Sequence, residues 1–332
     1  MSDDVSPQSP GPRSRSPTRR FPVTFVRPWL WLGLMSVVFA VPHLEAAEPR
    51  VSVVVSRSIE PYLEAYEGIR ETLQPIGADI DLQDMQGNAG TAARIAAEVM
   101  RRKPDAIVTV GTEASRLISE QTSEIPIVFS MVIRADALMA SGKSVGGASM
   151  ELPVLEQLRV LPAILPNARR FGMVYNPALH TPEAIARWRD AAQTLGLELA
   201  VEPVGEAREI PQRLEILLPT IDALWLIPDE TVLDPQTVRH IILETLRRRI
   251  PVFAPSLRFV QEGALVAVVC DYRDVGRQTG EFTAQLLAGR SVGAARVLEA
   301  RKSRLYINLR IAKTLGIVVP AALMNQADRL IQ

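Results

Sequence analysis

From residue 50 onward the chain alternates strand-like and helix-like segments almost without exception, and this narrows the fold more than any other feature. "RVSVVVS" (50–56) reads as a strand, and "PYLEAYEGIRETLQPIG" (61–77) as a helix with Tyr62, Ala65, Tyr66, Ile69 and Leu73 on one side. "ADIDLQDM" (78–85) is a more polar strand, expected near an edge, and "NAGTAARIAAEVMRRK" (88–103) an Ala-rich helix stopped by Pro104. In "PDAIVTVGTEASRLI" (104–118) an apolar strand, covered on both faces, turns on Gly111 into a helix with Thr112 as its expected N-cap. "IPIVFSMV" (125–132) and the short "VGGASM" (145–150), expected to cross between lobes, complete a first set of strands.

Near residue 150 the pattern restarts. A helix is expected over 151–166, a strand over 170–177, and a helix opened by Thr181-Pro182. Then follow "LELAVEPV", a helix at 209–219, the strand 222–229, a helix opened by Asp234-Pro235, and the strand 250–256. A short helix "LRFVQEG", the strand 264–272, a helix at 274–290, the strand "SRLYINL" and a helix around "RIAKTLGI" close the chain. Such alternation builds parallel sheets with helices on both faces, joined by right-handed crossovers. Roughly ten strands and a restart in mid-chain predict an α/β fold with two Rossmann-like lobes rather than one sheet.

Residues 1–47 differ from the rest. The first twenty are rich in Ser, Pro and Arg and cannot bury a core. Arg19, Arg20 and Arg27 then precede "WLWLGLMSVVFAV" (29–41), an apolar run short for a membrane span and suited to a signal-peptide core. Cleavage is expected near Ala46 or Ala47, with export to the periplasm, and no cysteine follows the run to carry a lipid. The 37 basic and 37 acidic residues cancel, and no basic stripe with interleaved aromatics suggests nucleic acid. Cys270 is the one cysteine, so no intramolecular disulfide can form.

Polar residues gather where the core strands end. They are Ser56 and Ser58, Gly111 and Thr112 with Ser115 one turn on, Ser130 and Met131, and Tyr175 and Asn176. Asp229 and Thr231, Ser256, and Asp271 and Tyr272 complete the set. In open α/β sheets ligands bind outside the carboxyl ends of the strands, so two facing sheets would line one cleft with these groups. Taken singly, Ser, Thr, Asn and Asp are equally at home as caps and turn formers. Thr181 and Asp234, each followed by Pro, read as caps only, whereas Asp229 and Asp271 end apolar strands.

No catalytic set competes with this reading. His180 and His240 have no ligand-spaced partner, which argues against a metal, and Cys270 reads as a buried structural thiol. No nucleophile elbow, P-loop or dinucleotide fingerprint is present, so neither an enzyme nor a bound cofactor is expected.

With "PDAIVTVGTEAS", "IPIVFSMV", "LRVLPAILPNARRFGMVYNP", "AAQTLGLEL", "IPVFAPS", "EGALVAV", "DYRDVGRQTGEFTAQLLAGR" and "INLRIAKTLGIVVPAAL" in order, the chain resembles a known family. It is similar to the ABC-transporter substrate-binding proteins of periplasmic-binding-protein fold type I, in the branch with tryptophan- and tyrosine-binding members. Where many relatives carry Asp-Pro after the strand matching "IPIVFS", this chain has Ile133-Arg134-Ala135-Asp136.

The resemblance implies two lobes joined by three hinge crossings, the first from 48–149 and 272–299, the second from 150–271 and 300–332. It also implies a monomer that traps a small molecule by hinge closure and hands it to an inner-membrane permease. An α-amino acid would set its carboxylate against Thr112 and Ser115 and its ammonium on Asp229 or Asp271. Tyr62, Tyr175, Phe129 and Tyr272 could stack on an aromatic side chain. A sensory partner of a membrane signalling protein would look the same in sequence, and that alternative stays open.

Overall fold

The computed structural model describes residues 48–122, 124–140, 146–290 and 296–332; the expected signal segment falls outside them. Two sheets carry the fold. The first holds β1 (Arg50–Val55), β2 (Asp79–Asp84), β3 (Ala106–Val110), β4 (Ile127–Val132), β5 (Gly146–Ser149) and β11 (Arg296–Leu298). The second holds β6 (Arg170–Tyr175), β7 (Glu198–Pro203), β8 (Ala223–Trp225), β9 (Val252–Ala254), β10 (Val266–Cys270), β12 (Ser303–Asn308) and β13 (Arg329–Ile331).

The first sheet runs β11-β5-β4-β3-β1-β2 and is parallel throughout. The second runs β13-β12-β10-β9-β8-β6-β7 and is parallel except where β10 meets β12. The first five strands of each lobe therefore wind alike: the second strand lies outside the first, and the third on its other side. This winding puts a topological switch point between β1 and β3 in one lobe and between β6 and β8 in the other.

Burial follows from composition. Central β1 and β3 are Val- and Ile-rich and buried on both faces, while β2, with three Asp and a Gln, is half-exposed at the edge as its polarity predicts. The expected helix over 151–166 is instead two short helices, Val154–Leu158 and Leu161–Ile164. Pro162 lacks the N–H that would carry the first helix's ladder onward. The expected strand at 222–229 keeps only Ala223–Trp225 in its ladder. "VGGASM" does not itself cross between lobes: Gly146–Ser149 is a strand of the first sheet, and the crossing follows it. Strands β11 and β13, three residues each, carry no alternation that would announce them.

Three segments pass between the sheets: 150–153 after β5, Asp271 after β10, and 299–302 after β11. They run side by side and bond to one another, with Ala300 N–H donating to Glu151 O (3.2 Å) and Asp271 N–H to Lys302 O (2.9 Å). The helix Tyr272–Leu287 then packs on Glu60–Leu73 along a seam of Gly68, Gly276 and Gly280, where backbone meets backbone. The 299–302 crossing is tied to that helix by Gln278, whose Nε2 donates to Glu299 O (3.0 Å). Asp274, buried in the same helix, pairs with Arg301 (2.8 Å) and Lys302 (3.1 Å).

Candidate interlobe ligand site

Each switch point is pinned by one buried polar side chain. In the first lobe it is Ser56, just past β1. Its hydroxyl donates to Val110 O at the end of β3 (3.1 Å) and accepts from Ala114 N–H (2.9 Å). That second bond caps the helix Thr112–Gln121 from a neighbouring strand. The helix's own N-cap is Gly111, not Thr112: φ is +94° there, a left-handed value that favours glycine, and an added Cβ would meet Ser56 Oγ (2.6 Å) and Tyr62 Cζ (2.8 Å). Thr112 is therefore the first helical residue. Among the described residues its N–H and that of Glu113 meet no acceptor, which leaves two donors and the positive end of the helix dipole open.

In the second lobe the pin is Asp229, just past β8 and fully buried. One carboxylate oxygen accepts from Asn176 N–H (2.8 Å) and lies 3.2 Å from His180 Nε2; the other accepts from Thr231 N–H (2.9 Å) and Val232 N–H (3.3 Å). Burial alone would raise this carboxyl, but the bonds from His180 and from the Asn176 and Thr231 amides outweigh it and hold it below its ordinary value. His180 is wedged against Trp188 (5.2 Å between ring centres), which in turn meets Trp225 edge-on (5.7 Å). Asn176 extends the knot by donating to Thr231 Oγ1 (2.9 Å) and accepting from Ala178 N–H (2.8 Å). Both Asp229 oxygens are thus engaged within the lobe, which leaves this residue no oxygen without a protein donor.

Asp271 has one. It caps Tyr272–Leu287 through Oδ1, which accepts from Asp274 N–H (3.1 Å) and from Arg304 (3.0 Å), and no donor among the described residues reaches Oδ2. Arg304 also pairs with Glu64 of the first lobe (2.8 Å), so one guanidinium spans the hinge.

The other expected site residues divide by burial. Ser115 is fully buried with its hydroxyl donating to Gly111 O (2.9 Å), so it cannot join Thr112 in holding a carboxylate. Ser130 is buried and accepts from Thr279 Oγ1 (2.8 Å). Met131, at φ +57° beside a register shift, sends its side chain into the core, and Phe129 is buried as well. Ser58 is exposed and donates to Asp84 (2.6 Å). Thr112 is exposed, its Oγ1 accepting from Ile133 N–H (3.2 Å). Tyr62, Tyr175, Ser256 and Tyr272 are half-buried. Burial raises the Tyr62 hydroxyl, partly against Arg57, and the Tyr272 hydroxyl as well, which keeps both protonated at neutral pH.

Sequence reasoning gave no site role to His180, Arg304 or Arg134. Arg134, just past β4, comes within 3.7 Å of Glu230, just past β8, so the carboxyl ends of the two sheets face each other across a cleft. Each of these residues finds its partner through tertiary structure far from its own position, and no local pattern could have signalled it. Among the described residues no group of three metal-ligating side chains occurs, and no helix is long and apolar enough to cross a membrane.

A family model described as ABC transporter substrate binding protein matches residues 50–331. The chain is 25% identical over 245 residues to a tyrosine-binding protein of Clostridioides difficile, covering 72% of this chain and 70% of the relative. Among solved structures it is similar to an ABC domain from Streptococcus pneumoniae in complex with L-Trp (TM-score 0.64, 22% identity, 86% of this chain and 100% of that one). It is also similar to the ligand-free, open structure of CD0873, a substrate-binding protein with adhesive properties from Clostridium difficile (TM-score 0.71, 22% identity, 86% and 99%).

Proposed function

We propose, since the chain belongs to the family of ABC transporter substrate-binding proteins, that it is the exported receptor of an import system and captures an α-amino acid, with aromatic ones favoured. The observation that carries this is the pair of open N–H groups of Thr112 and Glu113 at the helix start, at the switch point of the first lobe. Two N–H donors and a helix dipole suit a carboxylate. Oδ2 of Asp271 supplies an acceptor for the ammonium, and the Tyr62, Tyr175 and Tyr272 rings offer faces for an aromatic side chain. The Trp complex and the tyrosine-binding relative favour the same ligand class.

The mechanism is hinge closure. Ligand bridging the two lobes stabilises the closed form in proportion to the contacts it makes only there, and a full shift from 1:99 to 99:1 needs about 5.5 kcal/mol. A permease in the inner membrane then reads the closed form, and the leader at 1–47 accounts for export.

The test is a thermal-shift screen of protein unfolded and refolded to strip carried-over ligand, against the twenty amino acids, simple sugars and small carboxylates. A ligand at 100 times its Kd stabilises by about 2.7 kcal/mol. A shift with L-Tyr or L-Trp supports the reading. A shift confined to sugars would discard the ammonium pocket and keep the family.

A further inference from the structure

The second sheet ends at β7, and among the described residues no strand pairs with its outer edge. Glu198 N–H donates to Arg169 O (2.7 Å) and Val204 N–H to Tyr175 O (2.8 Å), so the even-numbered residues face β6. The N–H and C=O groups of Leu199 and Val201 consequently point away from the sheet. Along this edge runs a groove of about 860 Å³. One wall is the end of the helix Pro182–Thr194, with Arg189 and Gln193; the other is the end of Ile210–Leu217, with the half-exposed Ile216. Helices thus flank both sides of an open edge that is roughly 20 Å long for six residues.

The charges around the groove are unbalanced. Glu198 is matched by Arg170 (3.2 Å) and Glu202 by Arg213 (3.7 Å). Among the described residues Arg169 donates its guanidinium only to the carbonyls of Pro166 and Ala168 (3.1 and 3.0 Å), and no hydrogen bond or ion pair engages Arg189. Two guanidiniums thus border the groove without a carboxylate. We propose that this edge takes up an extended acidic segment of another protein, which adds as a strand to β7, sets carboxylates on Arg169 and Arg189, and lays apolar side chains on Ile216.

A second copy of the chain fits less well. Two β7 strands pair in antiparallel fashion only through their outward residues. The register that joins Leu199 to Val201 of the second copy also sets Glu198 against its Glu202, like charges facing twice. Pro203, which has no N–H to offer, closes one end of the groove and limits the added strand to a short one. The surface lies on the outermost strand of its sheet, four strands from β10, where the chain crosses at Asp271, so occupancy is compatible with hinge motion.

The experiment uses a labelled, capped peptide alternating Glu and Val, followed by fluorescence anisotropy with the full chain. Three comparisons accompany it: Arg189→Glu, a peptide alternating Lys and Val, and the acidic peptide N-methylated at alternate amides. Expected are binding of the acidic peptide alone and a loss of roughly tenfold in Arg189→Glu, equivalent to 1.4 kcal/mol. N-methylation should abolish binding, since it removes the strand hydrogen bonds while keeping the side chains. Equal binding of the methylated peptide would overturn the proposal by reducing it to surface electrostatics, as would equal binding of the Lys peptide. A dimer in sedimentation that Val201→Pro dissolves would assign the edge to a second copy and overturn it too. Arg189 is exposed and within a helix, so its variant is expected to fold, which the melting temperature verifies.

Discussion

Gly276 sets two well-defined effects against each other. It lies inside the helix Tyr272–Leu287, where replacing glycine by alanine stabilises an isolated helix by about 1 kcal/mol. On the seam with Glu60–Leu73, however, a Cβ at Gly276 would stand 2.7 Å from the carbonyl carbon of Ala65 and 2.8 Å from its Cα, and closer still to its oxygen. Backbone atoms cannot rotate aside, so restoring ordinary carbon–carbon contact at roughly 3.5–4.0 Å moves the helices apart by about 1 Å. Gly68, close against Arg273 O, and Gly280, close against Thr72 Oγ1, share the seam, so the separation is felt along its whole length. Overpacking of this kind costs about 1–3 kcal/mol, and a gap of 0.5–1 Å elsewhere on the seam forfeits roughly a quarter to a half of the dispersion there. The expected net effect of Gly276→Ala is a loss of about 2 kcal/mol, read as a fall in Tm of about 4 °C. Ala186→Gly, on an exposed helix face, supplies the scale, with a loss of about 1 kcal/mol from propensity alone. A rise in Tm for Gly276→Ala would mean that propensity prevails and that the seam is loose.

Asp229→Ala should cost about 3–5 kcal/mol in urea unfolding because it strands His180 and three amides, with Asn restoring part of the loss. The depressed carboxyl of Asp229 also fixes a sign. Its contribution is fully present above the unfolded value of about 3.9 and disappears as pH falls through the lower folded value, so Asp229→Asn should flatten the acid limb of the stability–pH curve. Thr112→Pro removes one open helix N–H at a position where proline is tolerated; carboxylate ligands should weaken by roughly tenfold in calorimetry, with Tm little changed. Asp271→Asn keeps the cap and loses the free charge, so affinity for amino acids should fall by about tenfold or more while that for the corresponding deaminated acids holds.

How legible each part was depended on where its partners lie. Alternation and apolar runs identify β1, β3 and β4 because burial on both faces writes itself into consecutive residues. Asp79, Asp81 and Asp84 mark an edge for the same reason. Thr181 and Asp234 are legible as caps since the proline and the amides they serve are adjacent in sequence, and the structure has each accepting from those amides. Asp229 carries the same local signature as a ligand residue, yet Asn176 and His180 reach it only through the packing of β6 beside β8. Ser56, Ser115 and Ser130 sit at strand ends as expected, but a hydroxyl is small enough to be buried and satisfied by one nearby carbonyl or hydroxyl. No pattern in sequence separates that from an exposed hydroxyl waiting for a ligand.

The first sheet is finished by the end of the chain. Its helix Tyr272–Leu287 and its strand β11 are supplied only after β6 to β10 of the other lobe, and they close onto residues near the beginning. The contacts that complete this lobe are therefore among the most distant in sequence, and distant contacts fold late. A chain made from its N-terminus must hold the strands and helices of residues 50–149 without their closing helix while the second lobe assembles beside them. The glycine seam therefore joins residues near 68 to residues near 276, across the whole of β6 to β10, and a truncation anywhere between Asp271 and β11 would damage most the lobe that was begun first.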